Sequence, residues 1–337
     1  MRVKGITFDT GFVNAGISTR EHFDADLVRR ELRIIRDDLH CTAVRVTGGD
    51  RDRLRVASAM VAELGMEVWV SPFTCDLTTD ELLDFLAECA VWAEELRVGG
   101  ADVVFLTGSE ISMFTVGFLP GDTIGERLAL FADPPRLRAA MAAVPALVNS
   151  FLGQAVAVVR ERFGGPVGYA SVPYENVDWT PFDIVATDGG YRSAEVADRY
   201  VDGMKALVAQ GKPVAVTEFG CATYRGSADL GATGDRVVEW RDGRPFALAG
   251  DLVRDEAEQA ACIAELFGIL DEVGVDSAFV CTFARYDFPH RSDPARDFDL
   301  ASNGIVKVLD GRTGSTYPGL PWEPKAAFVT VAELYRR

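Results

Sequence analysis

Two glutamates each stand where a short apolar run ends, Glu110 in "LTGSEIS" and Glu218 in "AVTEFG". A carboxylate at the mouth of a buried strand is a poor core residue and a useful reactive one, because burial and neighbouring charges decide whether it holds a proton. A pair can divide the labour. One acid stays neutral and protonates a leaving group while the other stays ionised and attacks or stabilises a developing cation, the arrangement that cleaves glycosidic bonds. Arg45, inside the apolar run "TAVRV", is costly to bury without an acidic partner. It is expected to hold Glu218 ionised through charge-assisted hydrogen bonds, with a structural ion pair to Asp9 as the alternative. Glu110, poorer in cationic neighbours and close in sequence to Phe114 and Phe118, is expected to keep its proton to higher pH.

The other run ends supply supporting candidates: Asp9, Ser109, Tyr169, Asp188, Tyr191 and Arg285. Asp188, in "ATDGGY", is expected to cap the turn that follows, with substrate contact as the alternative. Trp240, with Trp179, Tyr286 and Trp322, lies in segments that read as loops, where an aromatic ring can stack on a sugar or simply pin the loop. His290 follows Pro289 and has no evident partner, which makes it a weak general base.

The elements that must position these groups follow from periodicity. Short apolar or β-branched runs begin at Val3, Thr42, Met66, Ala101, Pro166, Phe182, Pro213 and Asp276, making eight strands. Helical periodicity fills the intervals, over Asp24 to Leu39, Arg53 to Leu64, Thr79 to Leu96, Pro135 to Phe163, Ser193 to Gln210, Arg254 to Val273 and Pro324 to Tyr335. Only the stretch after the fifth strand lacks a convincing helix. Strands joined by crossover helices lie parallel, and continuous apolar runs mark strands buried on both faces. The fold class is therefore α/β, a single (β/α)8 TIM barrel forming one domain over residues 1–337. A doubly wound open sheet is disfavoured, because "FDTGFVNAG" after the first strand lacks the Gly-rich phosphate turn. Barrels of this kind gather their chemistry at the C-terminal ends of the strands. The longest loops follow strands four, seven and eight and are expected to wall a cleft there.

Composition excludes several other classes. A formal net charge of −17 predicts repulsion from phosphate backbones and anionic lipid, so neither nucleic acid nor a membrane is the expected partner. The six cysteines are widely separated, without C-x-x-C spacing or a nearby histidine cluster, and predict neither a disulfide framework nor a metal site. No nucleotide-binding motif is present, and no cofactor is expected. The N-terminus runs into a strand without the basic and apolar segments of a signal peptide, which makes a reducing cytoplasm the expected compartment.

With these residues in view, the sequence resembles the large clan of retaining glycoside hydrolases built on (β/α)8 barrels. The resemblance implies that Glu110 is the acid/base ending strand four and Glu218 the nucleophile ending strand seven. It also implies that Arg45 is the strand-two arginine near the nucleophile and that Tyr191 hydrogen-bonds the nucleophile. The ending "YPGLPWEPKAAF" is similar to the last loop and helix of the clan. Two positions depart from the pattern. Ser109 stands where the clan has asparagine before the acid/base, and Cys281, Thr282 and Phe283 stand at the end of strand eight where tryptophan is common. The chain also resembles bacterial proteins labelled abortive infection proteins, a label without a mechanism. The implied activity is retaining cleavage or transfer of a glycosidic bond on a carbohydrate or other small-molecule substrate. The alternatives are an isomerase or cyclase using the same acids, and a catalytically silent barrel that binds carbohydrate or protein.

Overall fold

The eight apolar runs are strands in the computed structural model, which describes residues 1–336. They are β1 (Val3–Asp9), β2 (Ala43–Gly48), β3 (Glu67–Pro72), β4 (Val103–Ser109), β5 (Val167–Ser171), β6 (Val185–Thr187), β7 (Val214–Phe219) and β8 (Ser277–Val280). All pair in parallel with their neighbours in sequence, and β8 closes on β1, giving a closed barrel. Helices α1 (Ala25–Asp37), α2 (Arg51–Glu63), α3 (Thr79–Val98), α4 (Val144–Arg160), α5 (Ala197–Val208), α6 (Glu256–Glu272) and α7 (Ala326–Arg336) are the crossovers and the closing segment. The fold is a (β/α)8 barrel.

Local chemistry sets the helix starts. Asp24 accepts from the backbone N–H groups of Asp26 and Leu27, Asp50 from those of Asp52 and Arg53, and Thr78 with Glu81 forms a reciprocal capping box. The expected helix over Pro135 to Phe163 is instead two, Pro134–Met141 and α4, bent by 43°. Pro145, in the first turn of α4, has no N–H and its ring clashes with the carbonyl four residues back, so a continuous helix cannot pass it. After β5 the chain makes only a short helical turn, Pro173–Glu175, where no helix was expected.

Side chains fill the barrel's interior. Trp69 and Phe279 meet at 4.8 Å between ring centroids, and Leu106, Ile184, Ala170, Ala186 and Ala215 pack with them, all buried. A plugged lower barrel leaves the C-terminal strand ends for polar groups. A second, larger apolar layer lies between strands and helices.

The long loops after β7 and β8 are stitched together by charge. Arg254 pairs with Asp297 at 2.9 Å and with Asp299 at 2.6 Å, and buried Lys325 pairs with Asp299 at 2.8 Å while donating to Thr223 Oγ1. His290 Nδ1 lies 2.8 Å from Asp297, so the partner that the sequence did not reveal is an acid on its own loop. Taking such charges out of water is tolerable only because each meets an opposite charge with good geometry.

Candidate active site

Arg45 reaches into the barrel from the middle of β2, fully buried, and its guanidinium organises the strand ends. One nitrogen, Nη1, donates to Asp188 Oδ1 at 2.9 Å, to Glu218 Oε1 at 2.9 Å and to the Thr217 carbonyl at 3.1 Å. Nε donates to Ser71 Oγ and Nη2 to Ser109 Oγ. The Ser109 hydroxyl in turn donates to Asp188 Oδ2 at 2.7 Å. Arg45 therefore makes no pair with Asp9; its partners are Asp188 and Glu218. Tyr191 donates to the other oxygen of Glu218, Oε2, at 3.1 Å. The Glu218 side chain, 16% exposed, is thus held at both oxygens while still reachable by solvent.

Glycine makes room for this carboxylate. A Cβ on Gly190, just after β6, would stand 2.2 Å from the Glu218 carbonyl and 2.3 Å from Val216, so only glycine lets the two backbones approach.

Glu110 sits on an elbow. Its backbone is left-handed, with φ 46° and ψ 42°, a conformation that costs a residue with a Cβ about 1 kcal/mol or more and persists only where surroundings enforce it. The residues after it, Ile111–Phe114, form a single helical turn. Its N–H donates to the Ala170 carbonyl, and its own carbonyl accepts from Met113 and Phe114. The turn leaves two N–H groups without helical partners, and side chains meet both. Ile111 N donates to the Tyr169 hydroxyl at 2.9 Å and Ser112 N to Glu175 at 3.0 Å. Phe114 turns away into an aromatic group with Phe12 and Phe73, and Phe118 packs on Phe151.

The electrostatics correct one expectation. Arg45 does not hold Glu218 low: burial, with Asp188 adding its negative charge, raises Glu218 to about 7, against the opposing pull of Arg45 and Tyr191. The main physical reason is burial of the carboxylate, and Arg45 offsets it only in part because the same guanidinium nitrogen also serves Asp188. Glu110 is raised well above the ordinary glutamate range, first by burial and then by the charges of Asp188, Glu218 and Glu175, with Arg45 opposing. Arg45 itself stays charged, since the attraction of Asp188 and Glu218 more than offsets the cost of its burial. Both acids are thus raised: Glu218 adds to the charge acting on Glu110, and Asp188 acts on both.

The remaining candidates separate into groups. Ser109 and Asp188 belong to the Arg45 network. Tyr169 is fully buried beneath Glu110 and touches the Ile111 backbone and Glu175, a supporting position. Asp9 ties down its own loop, accepting from Thr19 Oγ1 and Gly11 N, and burial raises its pKa. Arg285 is occupied by a two-point pair with Asp287 at 2.8 and 2.7 Å and lies over Phe288. Trp240 is on the hairpin formed by Val238–Arg241 and Arg244–Leu248, 53% exposed, with its ring 5.9 Å from Phe288. Trp322 is no loop aromatic: it pairs with Val308 in a short antiparallel ribbon, is fully buried, and donates to Glu31. Tyr286 also ends on Glu31 and is not free to stack on a sugar.

Two contributors carry no sequence signal. Asn303, from the loop after β8, places its amide nitrogen 3.5 Å from the Tyr191 hydroxyl and 3.3 Å from Cys281 Sγ. Glu175, in the polar stretch after β5, lies behind Glu110 and is fully buried. Neither a loop asparagine nor a glutamate in "PYEN" differs by type or spacing from an ordinary surface residue.

No family model matches the chain, and no curated protein matches it. Solved structures of similar fold do exist. A GH113 β-1,4-mannanase is 16% identical with a TM-score of 0.65, the match covering 100% of this chain and 99% of that one. The GH113 β-mannanase from Alicyclobacillus acidocaldarius is 16% identical at TM-score 0.60, covering 99% and 97% of the two chains. A β-glucuronidase from Parabacteroides merdae is 15% identical at TM-score 0.56, over 99% of this chain and 36% of that longer one. At such identities the likeness is one of fold: the chain shares the (β/α)8 barrel of these glycosidases.

Proposed function

We propose that the protein is a glycoside hydrolase or transglycosidase acting with retention, with Glu218 as nucleophile and Glu110 as acid/base. The observation that carries this reading is the contrast between the two carboxyls. Glu218 is aligned at both oxygens by Arg45 and Tyr191, whereas Glu110 is set on a strained elbow in surroundings that favour its neutral form. The glycosidase neighbours with the same barrel add weight. In the first step a Glu218 oxygen bonds to the anomeric carbon, the bond to the leaving oxygen breaks, and that oxygen keeps the electron pair and takes the Glu110 proton. In the second, Glu110 removes a proton from water, whose oxygen displaces Glu218 from the same carbon. Neither step draws on a metal or an organic cofactor. The cytoplasm as compartment belongs to the same proposal.

The Ser109 hydroxyl is committed to Asp188 and Arg45, so it does not offer a sugar hydroxyl the contact an asparagine amide there would. That favours, as a second reading, acid-catalysed rearrangement of a non-sugar metabolite by the same pair.

A screen of aryl glycosides, β-mannosides and β-glucuronides first, tests the proposal. Turnover is expected on at least one sugar, with the product anomer retained by NMR. Glu218→Gln and Glu110→Gln are each expected to lower kcat by about 10² or more. Unchanged turnover in both variants rejects the assignment; a product of unchanged mass points to rearrangement.

A further inference from the structure

Glu175 is the most completely satisfied carboxylate near the site, and the mechanism above does not use it. Its Oε1 accepts from Ser112 N at 3.0 Å and Ser112 Oγ at 2.6 Å, and its Oε2 from the Tyr169 hydroxyl at 2.8 Å and Val172 N at 3.1 Å. It has no exposed surface. Both Ser112 donors lie on the segment that carries the acid, two residues from Glu110, while Tyr169 and Val172 belong to β5 and the residue after it, and Tyr169 in turn accepts from Ile111 N. Both unpartnered N–H groups of the turn after Glu110 thus lead to this one carboxylate, directly or through a single hydroxyl.

We propose that Glu175 is a positioning residue for the acid/base: through Ser112 and Tyr169 it holds the left-handed elbow at Glu110. The inference rests on the reading of Glu110 as the acid. A left-handed glutamate is retained only when its surroundings enforce it, and this anchor supplies the enforcement. The groups facing Glu110 are Asp188, Glu218 and Arg45 from the other strand ends, and Glu175 with Tyr169 and Tyr174 from the β5 side. Burial raises the pKa of Glu175 itself against the pull of its hydrogen-bond donors, and in its ionised form it adds to the charge that favours the neutral acid.

A position-dependent role separates from mere support by the leaving group. A phenyl glycoside needs the proton of Glu110 to depart, whereas a 2,4-dinitrophenyl glycoside leaves as a stable anion without it. The test measures kcat/KM for both glycosides of whichever sugar the wild type turns over, with Glu175→Gln, Tyr169→Phe and Glu110→Gln. For Glu175→Gln the expected result is a loss of about tenfold or more on the phenyl glycoside and under about threefold on the dinitrophenyl one, as the acid contributes only to the first. The alkaline limb of its pH profile is expected at lower pH, because removing a facing negative charge lets Glu110 ionise sooner. Tyr169→Phe keeps the charge but breaks one link, so the same split is expected with a smaller shift of that limb. If Glu175→Gln does not fold, Tyr169→Phe decides alone.

Equal losses on both substrates, or none, in a folded variant overturn the inference. A Glu110→Gln variant that itself shows no leaving-group dependence overturns the underlying reading instead, and so does an inert wild type.

Discussion

Burial lifts Glu218 to about 7, and Arg45, which donates from one nitrogen to both Asp188 and Glu218, offsets that only in part; under the proposed mechanism this balance would set the working range of the site. In the proposed mechanism Glu218 must be ionised to attack, and at about 7 it becomes so only near neutrality, so activity is expected to rise as pH increases through that value. In the same mechanism Glu110 must keep its proton, and its upward shift, caused first by burial, moves the descending limb towards alkaline pH. Asp188 raises both acids and draws on Arg45 as well. Asp188→Asn removes that charge, so both limbs of the pH profile of kcat/KM are expected to move to lower pH, the acidic one by about one unit, equivalent to about 1.4 kcal/mol. An acidic limb that stays near neutrality in this variant would show that Asp188 is not the competing charge. Side-chain identity carried much of this: Glu110 and Glu218 are legible as strand-end acids, Arg45 as a charge inside an apolar run and Tyr191 as a group just after the sixth strand. The sharing of one guanidinium was not legible, because it depends on Asp188 turning inward to the barrel axis rather than capping its own turn. Glu175 and Asn303 stayed hidden for a related reason, as their roles arise from contacts distant in sequence.

At the scale of elements, the strands were legible and the connections less so. Continuous apolar runs such as "TAVRVT" and "ADVVFL" encode burial on both faces, and parallel pairing follows from the helices between them. The bend before α4 depended on a single proline, and the covered position of Trp322 on a ribbon between residues that read as loop. The close passage of Gly190 beside β7 had no sequence signal either, yet it positions the carboxylate. Gly190→Ala would force a Cβ into the Glu218 carbonyl, and the backbone of β7 must move aside. The expected outcome is a loss of about 1–3 kcal/mol in urea unfolding together with a fall in kcat, because a shift of about 1 Å at a reacting group costs rate steeply. A variant with unchanged kcat would mean that this approach is not needed to aim Glu218.

For the whole molecule, a buried, ionisable Glu218 costs stability. Glu218 has a folded pKa of about 7 against an ordinary glutamate value of 4.5, so its neutral form is the one the fold prefers. Its contribution is fully favourable below the unfolded value, declines as pH rises from there toward the folded value, and is flat above it. Glu218→Gln removes the penalty. At pH about 8 the variant is expected to be more stable than the wild type by about 2–3 kcal/mol, and near pH 5 the difference is expected to shrink toward zero. Chemical denaturation at the two values checks this, and a variant no more stable at the higher pH would refute it.

The ionic stitching of Arg254, Asp297, Asp299 and Lys325 would have a further effect on recognition if the proposed activity holds. It fastens segments from either side of α6 and the run into α7 into one rim before any ligand arrives. A fitting molecule then loses little free energy to ordering the protein, and a misfitting one meets walls that do not yield to it.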